Sequence, residues 1–183
     1  LSGCQLDNAF GNEDQIEVVQ SDLARELNPD VSDQELEELV QGNTSFALDL
    51  YRELSAEAGN QFYSPLSISL ALAMLYGGAR GETEQEMANA LNFTLPQDQL
   101  HAAFNELDLA LAARDEDQEG FQLNIANATW GQRGHEFLSA YLDLLAVNYG
   151  AAMRLLDFAS SPDESREVIN NWVSDRTDGN IEN

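Results

Sequence analysis

The sequence predicts an α+β body with an unfinished sheet, on three observations. Apolar residues recur at helical spacing in six separate segments from Asn43 onward. Two runs, one reaching Trp130 and one over residues 152–158, read instead as strands. Caps, prolines and glycines punctuate these segments where helices should start and stop. Two strands do not make a stable sheet alone, so helices or further strands must complete it.

Each element follows from its own residues. Over 43–57, Phe46, Ala47, Leu50, Tyr51 and Leu54 fall on one helical face, with Asn43 or Thr44 as N-cap and Gly59-Asn60 as terminator. After a brief extended run at Gln61-Phe62-Tyr63, Ser64-Pro65 opens a second helix, serine capping free N–H groups and proline fitting the first turn. That helix, 65–76, carries Ile68, Leu70, Leu72, Met74 and Leu75 on nearly every side, which places it in the middle of a body. Gly77-Gly78 ends it. Thr83-Glu84-Gln85-Glu86 reads as a capping box for a third helix buried through Met87, Ala90 and Leu91. A fourth, 97–113, packs one face (Leu100, Phe104, Leu107, Leu111) and leaves the rest solvated. Phe121, Leu123 and Ile125 alternate with Gln122 and Asn124 in the first strand. Helical spacing returns over 136–148 with Phe137, Tyr141, Leu144 and Leu145, stopping near Gly150. After the 152–158 strand, Ser161-Pro162-Asp163-Glu164 reads as a capping box for a last helix carrying Val168, Ile169, Trp172 and Val173, ended near Gly179.

The remainder, 1–42, has another character. From Gln5 to Gly42 there are 11 Asp or Glu residues and one arginine, with short apolar hints at Ile16, Val18 and Val19 and at Leu36, Leu39 and Val40. It reads as an acidic spacer extended by its own repulsion, with Ser32-Asp33-Gln34-Glu35 able to cap a short helix. The chain opens on Leu1 instead of methionine, so a processed chain or a piece of a longer one is expected. The division is therefore 1–42 as spacer and 43–183 as folded domain.

Across the 183 residues, 33 acidic side chains face 8 basic ones, a formal net charge of −25. All the basic residues are arginines, which excludes chemistry that needs a lysine: a P-loop clamp, a Schiff base, a Ser-Lys dyad. The negative field repels nucleic acid and anionic headgroups, so neither is an expected partner. Concentrated salt screens such self-repulsion, so the composition suits a halophile; a GC-rich genome that favours arginine codons is the other explanation. His101 and His135 stand apart, and neither H-E-x-x-H nor G-x-S-x-G occurs, so no enzyme is expected. Asp115, Asp117 and Glu119 outline a calcium-type loop, but its twelfth position is Ala126, so a solvated turn is expected and no metal or cofactor. No apolar stretch reaches 18 residues, the length of a spanning helix. N-x-S/T triplets occur at Asn43, Asn92 and Asn127, of which Asn92, in a turn, is the accessible candidate for glycosylation.

Two resemblances add to this reading. Leu1-Ser2-Gly3-Cys4 resembles the lipobox of prokaryotic lipoproteins, whose cysteine is lipid-modified, although a chance tetrapeptide with a free thiol reads the same. The resemblance implies a lipid anchor at Cys4 as the sole membrane contact and an extracellular or cell-envelope location. Asn60-Gln61-Phe62-Tyr63-Ser64-Pro65-Leu66-Ser67-Ile68 and the run from Ala71 to Thr83 resemble the N-terminal part of a serpin. So do Asn127-Ala128-Thr129-Trp130, Tyr149-Gly150-Ala151, Asp157-Phe158, Ile169-Asn170-Asn171-Trp172-Val173 and Thr177-Asp178-Gly179-Asn180-Ile181, in the family's order over 43–183.

This resemblance implies the serpin fold in its N-terminal part only: helices A to F and strands 2A and 1A of a large sheet. It implies an inhibitor of serine (or cysteine) proteases, a suicide substrate whose bait loop inserts into that sheet after cleavage and carries the acyl-enzyme with it. A non-inhibitory serpin, acting as a binding or chaperone-like module, stays open as the alternative. Ser64 and Ser67 match the family's shutter serines and Asn60 a nearby motif position. Asn171, Trp172, Thr177 and Gly179 match the helix F region that yields on insertion. Ser64 can equally be a plain N-cap, and Trp172 a plain core aromatic. The resemblance also implies that the reactive loop is absent from these residues, so that the chain alone should not inhibit and should be poorly soluble or molten. The family's glycosaminoglycan site uses basic residues, whereas 100–119 is acidic here, so heparin-type activation is not expected.

Overall fold

The computed structural model describes residues 16–56, 58–117 and 125–181. Along the chain run β1 (Glu17–Val19), α1 (Asp33–Leu54), α2 (Pro65–Tyr76), α3 (Glu82–Leu91), α4 (Gln97–Asp117), β2 (Thr129–Gln132), α5 (Ser139–Tyr149), β3 (Met153–Leu156) and α6 (Pro162–Arg176). The strands form one sheet in the order β1-β3-β2. β2 lies parallel to β3, Thr129 opposite Met153 and Gln132 opposite Leu156, with α5 as the crossover that parallel strands require.

The core has two parts, and α2 serves both. Leu70 and Ala73 join Leu39 and Phe46 of α1, Leu91 of α3, and Leu100 and Phe104 of α4. Met74 joins Leu142 and Leu145 of α5 and Met153 and Leu155 of β3. The all-round apolar character of α2 therefore has a physical cause: the helix is wedged between a helical layer and the sheet. Leu75 is the departure, 54% exposed.

Several local expectations are corrected. The first long helix does not start at Asn43 or Thr44. It starts after Ser32, whose side chain accepts from Glu35 N while Glu35 bonds back to the cap, and it runs 22 residues through Gly42. Once nucleated there, the helix absorbs Asn43 and Thr44, and the Thr44 hydroxyl donates back to the Val40 carbonyl. The Thr83 capping box does not form, because Gly81 at φ 66° turns the chain and α3 begins at Glu82, leaving Thr83 inside the first turn. Ser161 precedes α6 but makes no side-chain cap bond. Helix α5 begins at Ser139, and Phe137 instead lies over the sheet at Gly131, where an added Cβ would come 2.5 Å from its ring. The alternation at Phe121–Asn124 lies outside the described residues, as do Cys4 and the lipobox; Ile125 to Ala128 are not strand, and β2 starts at Thr129.

The spacer reading of 16–31 is also corrected. These residues lie on the body: β1 pairs antiparallel with β3, and Glu26 N donates to the Val147 carbonyl of α5 at 2.9 Å. A three-residue strand that is largely exposed has too little local pattern to betray itself; its pairing partner lies more than 130 residues away in sequence.

Candidate functional site

The N-terminus of α2 brings together two of the predicted residues. Ser64 sits in extended backbone and caps the helix, its Oγ accepting from Ser67 N at 3.3 Å, while Pro65 fills the first turn. The two hydroxyls lie 2.9 Å apart and share a hydrogen bond in which either can donate. Ser64 is exposed and Ser67 half-buried, so the pair can exchange partners without stranding a polar group in the core. Asn60 is exposed in the turn before them. Phe62 is fully exposed, whereas Tyr63 turns inward and donates to the Ala47 carbonyl of α1.

A second group forms where α6 crosses the sheet. Trp172 meets Trp130 of β2 edge to face, with centroids 5.9 Å apart. The Arg154 guanidinium of β3 lies 5.3 Å from the Trp172 ring and 5.7 Å from Trp130, and Arg176 lies 5.8 Å from Trp172 on its own helix. Such cation–π contacts contribute about 0.5–2 kcal/mol each, more as they lose water. Trp172 thus joins α6 to both β2 and β3 through its ring contacts. Its indole N–H is buried without a hydrogen-bond partner among the described residues.

Thr177 and Gly179 close α6 together. The chain turns through Asp178 (φ 51°) and Gly179 (φ 74°), and Gly179 N donates to Ser174 O at 2.8 Å. Buried Thr177 donates its hydroxyl to Val173 O and accepts from Ile181 N. Asn171 is exposed and lines a groove of about 380 Å³ between α6 and the strand ends, with Arg133, Asp157 and Ser165. Asp157 anchors the floor of that groove: Gln132 and the Ser160 N–H donate to its Oδ1, and these bonds hold its carboxyl below the usual range.

Two further clusters were not legible as sites. Arg25 reaches α4, donating from Nε to Asn105 Oδ1 at 2.8 Å and pairing with Asp108 at 2.7 Å. His101, on the same helix, is 1% exposed and hydrogen-bonds Tyr149 through Nδ1. Burial, helped by the Arg80 charge, pushes His101 down to about 4, and burial is the main push that raises the Tyr149 hydroxyl. Asn92 ends α3 in left-handed backbone, and its side-chain amide already donates to Asp49 at 3.2 Å. Asn43 is inside α1, with its Oδ1 buried, and the Asn127 amide nitrogen is buried. Among the described residues, no group of three His, Cys, Asp or Glu side chains is placed to hold a metal, and no helix is long and apolar enough to cross a membrane.

Comparison with known proteins gives one consistent result. The family model described as serpin (serine protease inhibitor) matches residues 41–183. A leukocyte elastase inhibitor of Sus scrofa is 40% identical over 148 residues, 80% of this chain and 38% of the relative. An uncharacterised serpin-like protein of Thermococcus kodakarensis is 38% identical over 143 residues, 78% of this chain and 33% of the relative. The solved structure of a tumour-suppressing serpin superposes with a TM-score of 0.69 at 24% identity, covering 81% of this chain and 39% of that one. The chain thus spans well under half the length of the relatives it matches, and its fold corresponds to part of theirs.

Proposed function

Because this chain belongs to the serpin family, we propose that the full-length protein inhibits serine-type proteases as a suicide substrate. The observation that carries the reading is the family match over 41–183, together with 40% identity to an inhibitor of leukocyte elastase. In this reading the protease serine attacks the scissile carbonyl of a bait loop. The peptide C–N bond breaks, the amine leaves with a proton, and an ester joins the two proteins. Loop insertion into the sheet then outruns hydrolysis of that ester, drawing on a metastable fold. The bait loop belongs, on this reading, to sequence outside the 183 residues.

The residues described above take positioning roles. Ser64 and Ser67 are proposed to trade their mutual hydrogen bond for bonds to the parting strands. The Trp172 contacts to Trp130 and Arg154 support a latch that keeps α6 on the sheet until insertion lifts it. Asn60, Asn171, Thr177 and Gly179 frame these two regions. The partner is then a serine or cysteine protease and the protein is not itself an enzyme. Activation by heparin-type polyanions is not part of the proposal, since 100–119 carries six acidic side chains against one arginine. For location we propose a lipid anchor at Cys4, which detergent-phase partition of the native protein, lost in Cys4→Ser, would establish.

The test uses the full-length protein. Incubation with serine and cysteine proteases should give an SDS-stable complex of the summed mass, abolished when the protease nucleophile is removed. If no protease in a broad panel forms that complex, the inhibitor reading is wrong and a binding or chaperone-like role takes its place.

A further inference from the structure

The sheet has an edge that the same chain covers. β2 occupies one side of β3, and without β1 the other side would be open. An open edge presents unpaired N–H and C=O groups that template pairing with another chain. Here Glu17 lies opposite Leu155, Val18 opposite Arg154 and Val19 opposite Met153. A ladder of three residues is too short to hold alone.

What holds it lies outside the ladder. Val19 packs into the core beneath the sheet. Ser21 Oγ donates to Asp143 of α5, and Glu26 N donates to Val147 O. Arg25 donates to Asn105 and pairs with Asp108. Asn105 is fully buried on the face of α4 that carries Leu100 and Phe104, a position where an apolar side chain is the default. Both ends of its amide serve this segment: Oδ1 accepts from Arg25, and Nδ2 donates to Glu26 O at 2.7 Å. Gly150 leaves room for the arginine, since a Cβ there would lie 3.1 Å from Arg25 Cδ. The body therefore carries a seat shaped for residues 16–31.

The hold is shallow. Val18, Leu23 and Leu27 are 49%, 54% and 65% exposed, and the Arg25 and Asp108 side chains keep 23% and 28% of their surface in water. Contacts of this kind open in local steps well below global unfolding. We propose that residues 16–31 form a detachable strap over the β3 edge, clasped by Arg25, and that the vacated seat accepts the same segment offered by a second copy of this chain. A second copy fits because the seat recognises register, Val19 and Arg25 together, and the copy brings all three; exchange of an identical element is a low-cost route to dimers. This inference stands independently of the inhibitor reading.

The test uses the full-length protein carrying Val19→Asp and Arg25→Ala, with a labelled peptide of residues 16–31 as probe. The variant should keep its near-UV circular dichroism, show about tenfold or faster amide exchange at Met153–Leu156, and bind the peptide saturably, with exchange slowed again on binding. Adding Asn105→Leu should abolish peptide binding. A variant that fails to bind the peptide, or whose β3 amides exchange no faster, overturns the proposal. So does a variant that loses its tertiary signal, because the segment is then part of the core. In the unmodified protein, β3 amides that exchange only through global unfolding overturn it as well.

Discussion

Gly42→Ala sets two opposing effects against each other and is decided by sign. Gly42 lies inside the 22-residue α1, where alanine in place of glycine gains about 1 kcal/mol if the site faces open space. It does not face open space. A Cβ at position 42 would lie 2.4 Å from the carbonyl oxygen of Asn92, at the end of α3. Carbon and oxygen approach no closer than about 3.3 Å without strain, so α1 and the α3 terminus must part by about 0.9 Å. Asn92 cannot swing aside cheaply: it holds φ 56°, and the next residue, buried Phe93, donates to Ala88 O at 2.9 Å. Overpacking of this kind costs about 1–3 kcal/mol, against the ~1 kcal/mol gained. The expected net is a loss of up to about 2 kcal/mol. Urea unfolding of the full-length protein followed by circular dichroism should show a midpoint lowered by about 0.5 M at unchanged slope. A midpoint that rises would refute the close crossing and return Gly42 to an ordinary exposed helical position.

Three other expectations are simpler. His101 is held neutral at about 4 when folded and titrates near 6.5 when unfolded, so between these values the unfolded chain binds more protons. Stability should therefore fall as the pH drops from about 6.5 to about 4, by about 3 kcal/mol in all, and urea midpoints of His101→Gln should lack that component. Ser64→Ala removes the α2 cap and should lower stability by about 1 kcal/mol, with Ser64→Thr restoring most of it, as thermal melts would record. The melting temperature should climb between dilute buffer and molar salt, because the screening length contracts from about 10 Å to about 3 Å; a flat profile would remove the halophile reading.

Legibility in the sequence tracked how local each cause is. Both ends of α2 were readable because Ser64-Pro65 and Gly77 act on their own turns. The Ser32 box that opens α1 was readable too; that the helix runs on past Gly42 was not, because Asn43 and Thr44 also read as caps, while Leu39 and Phe46, buried on either side of Asn43, favour one continuous helix. Thr83 and Ser161 had the right spacing for capping boxes, but the turn at Gly81 and the geometry before α6 decided those starts. Of the site, the Ser64–Ser67 pair was readable, since both roles proposed for it begin from the same cap. The partners of Trp172 were not, because Trp130 and Arg154 reach it from two strands. Arg25 and Asn105 are 80 residues apart, and the available signal was one amide in the packed face of α4.

The scarcity of cations gives that last contact its weight. With 8 arginines against 33 acids, each guanidinium has many carboxylates to choose from. Arg52–Asp49 and Arg166–Asp163 are exposed i,i+3 pairs within single helices, a class that contributes little. Arg25–Asp108 and Arg133–Glu17 instead join elements far apart in sequence, and both fasten the segment that carries β1. Arg154 and Arg176 lie on the ring of Trp172, where α6 meets the sheet. Arg25, Arg133 and Arg154 thus stand at joints between elements, whereas Arg52 and Arg166 serve only their own helices.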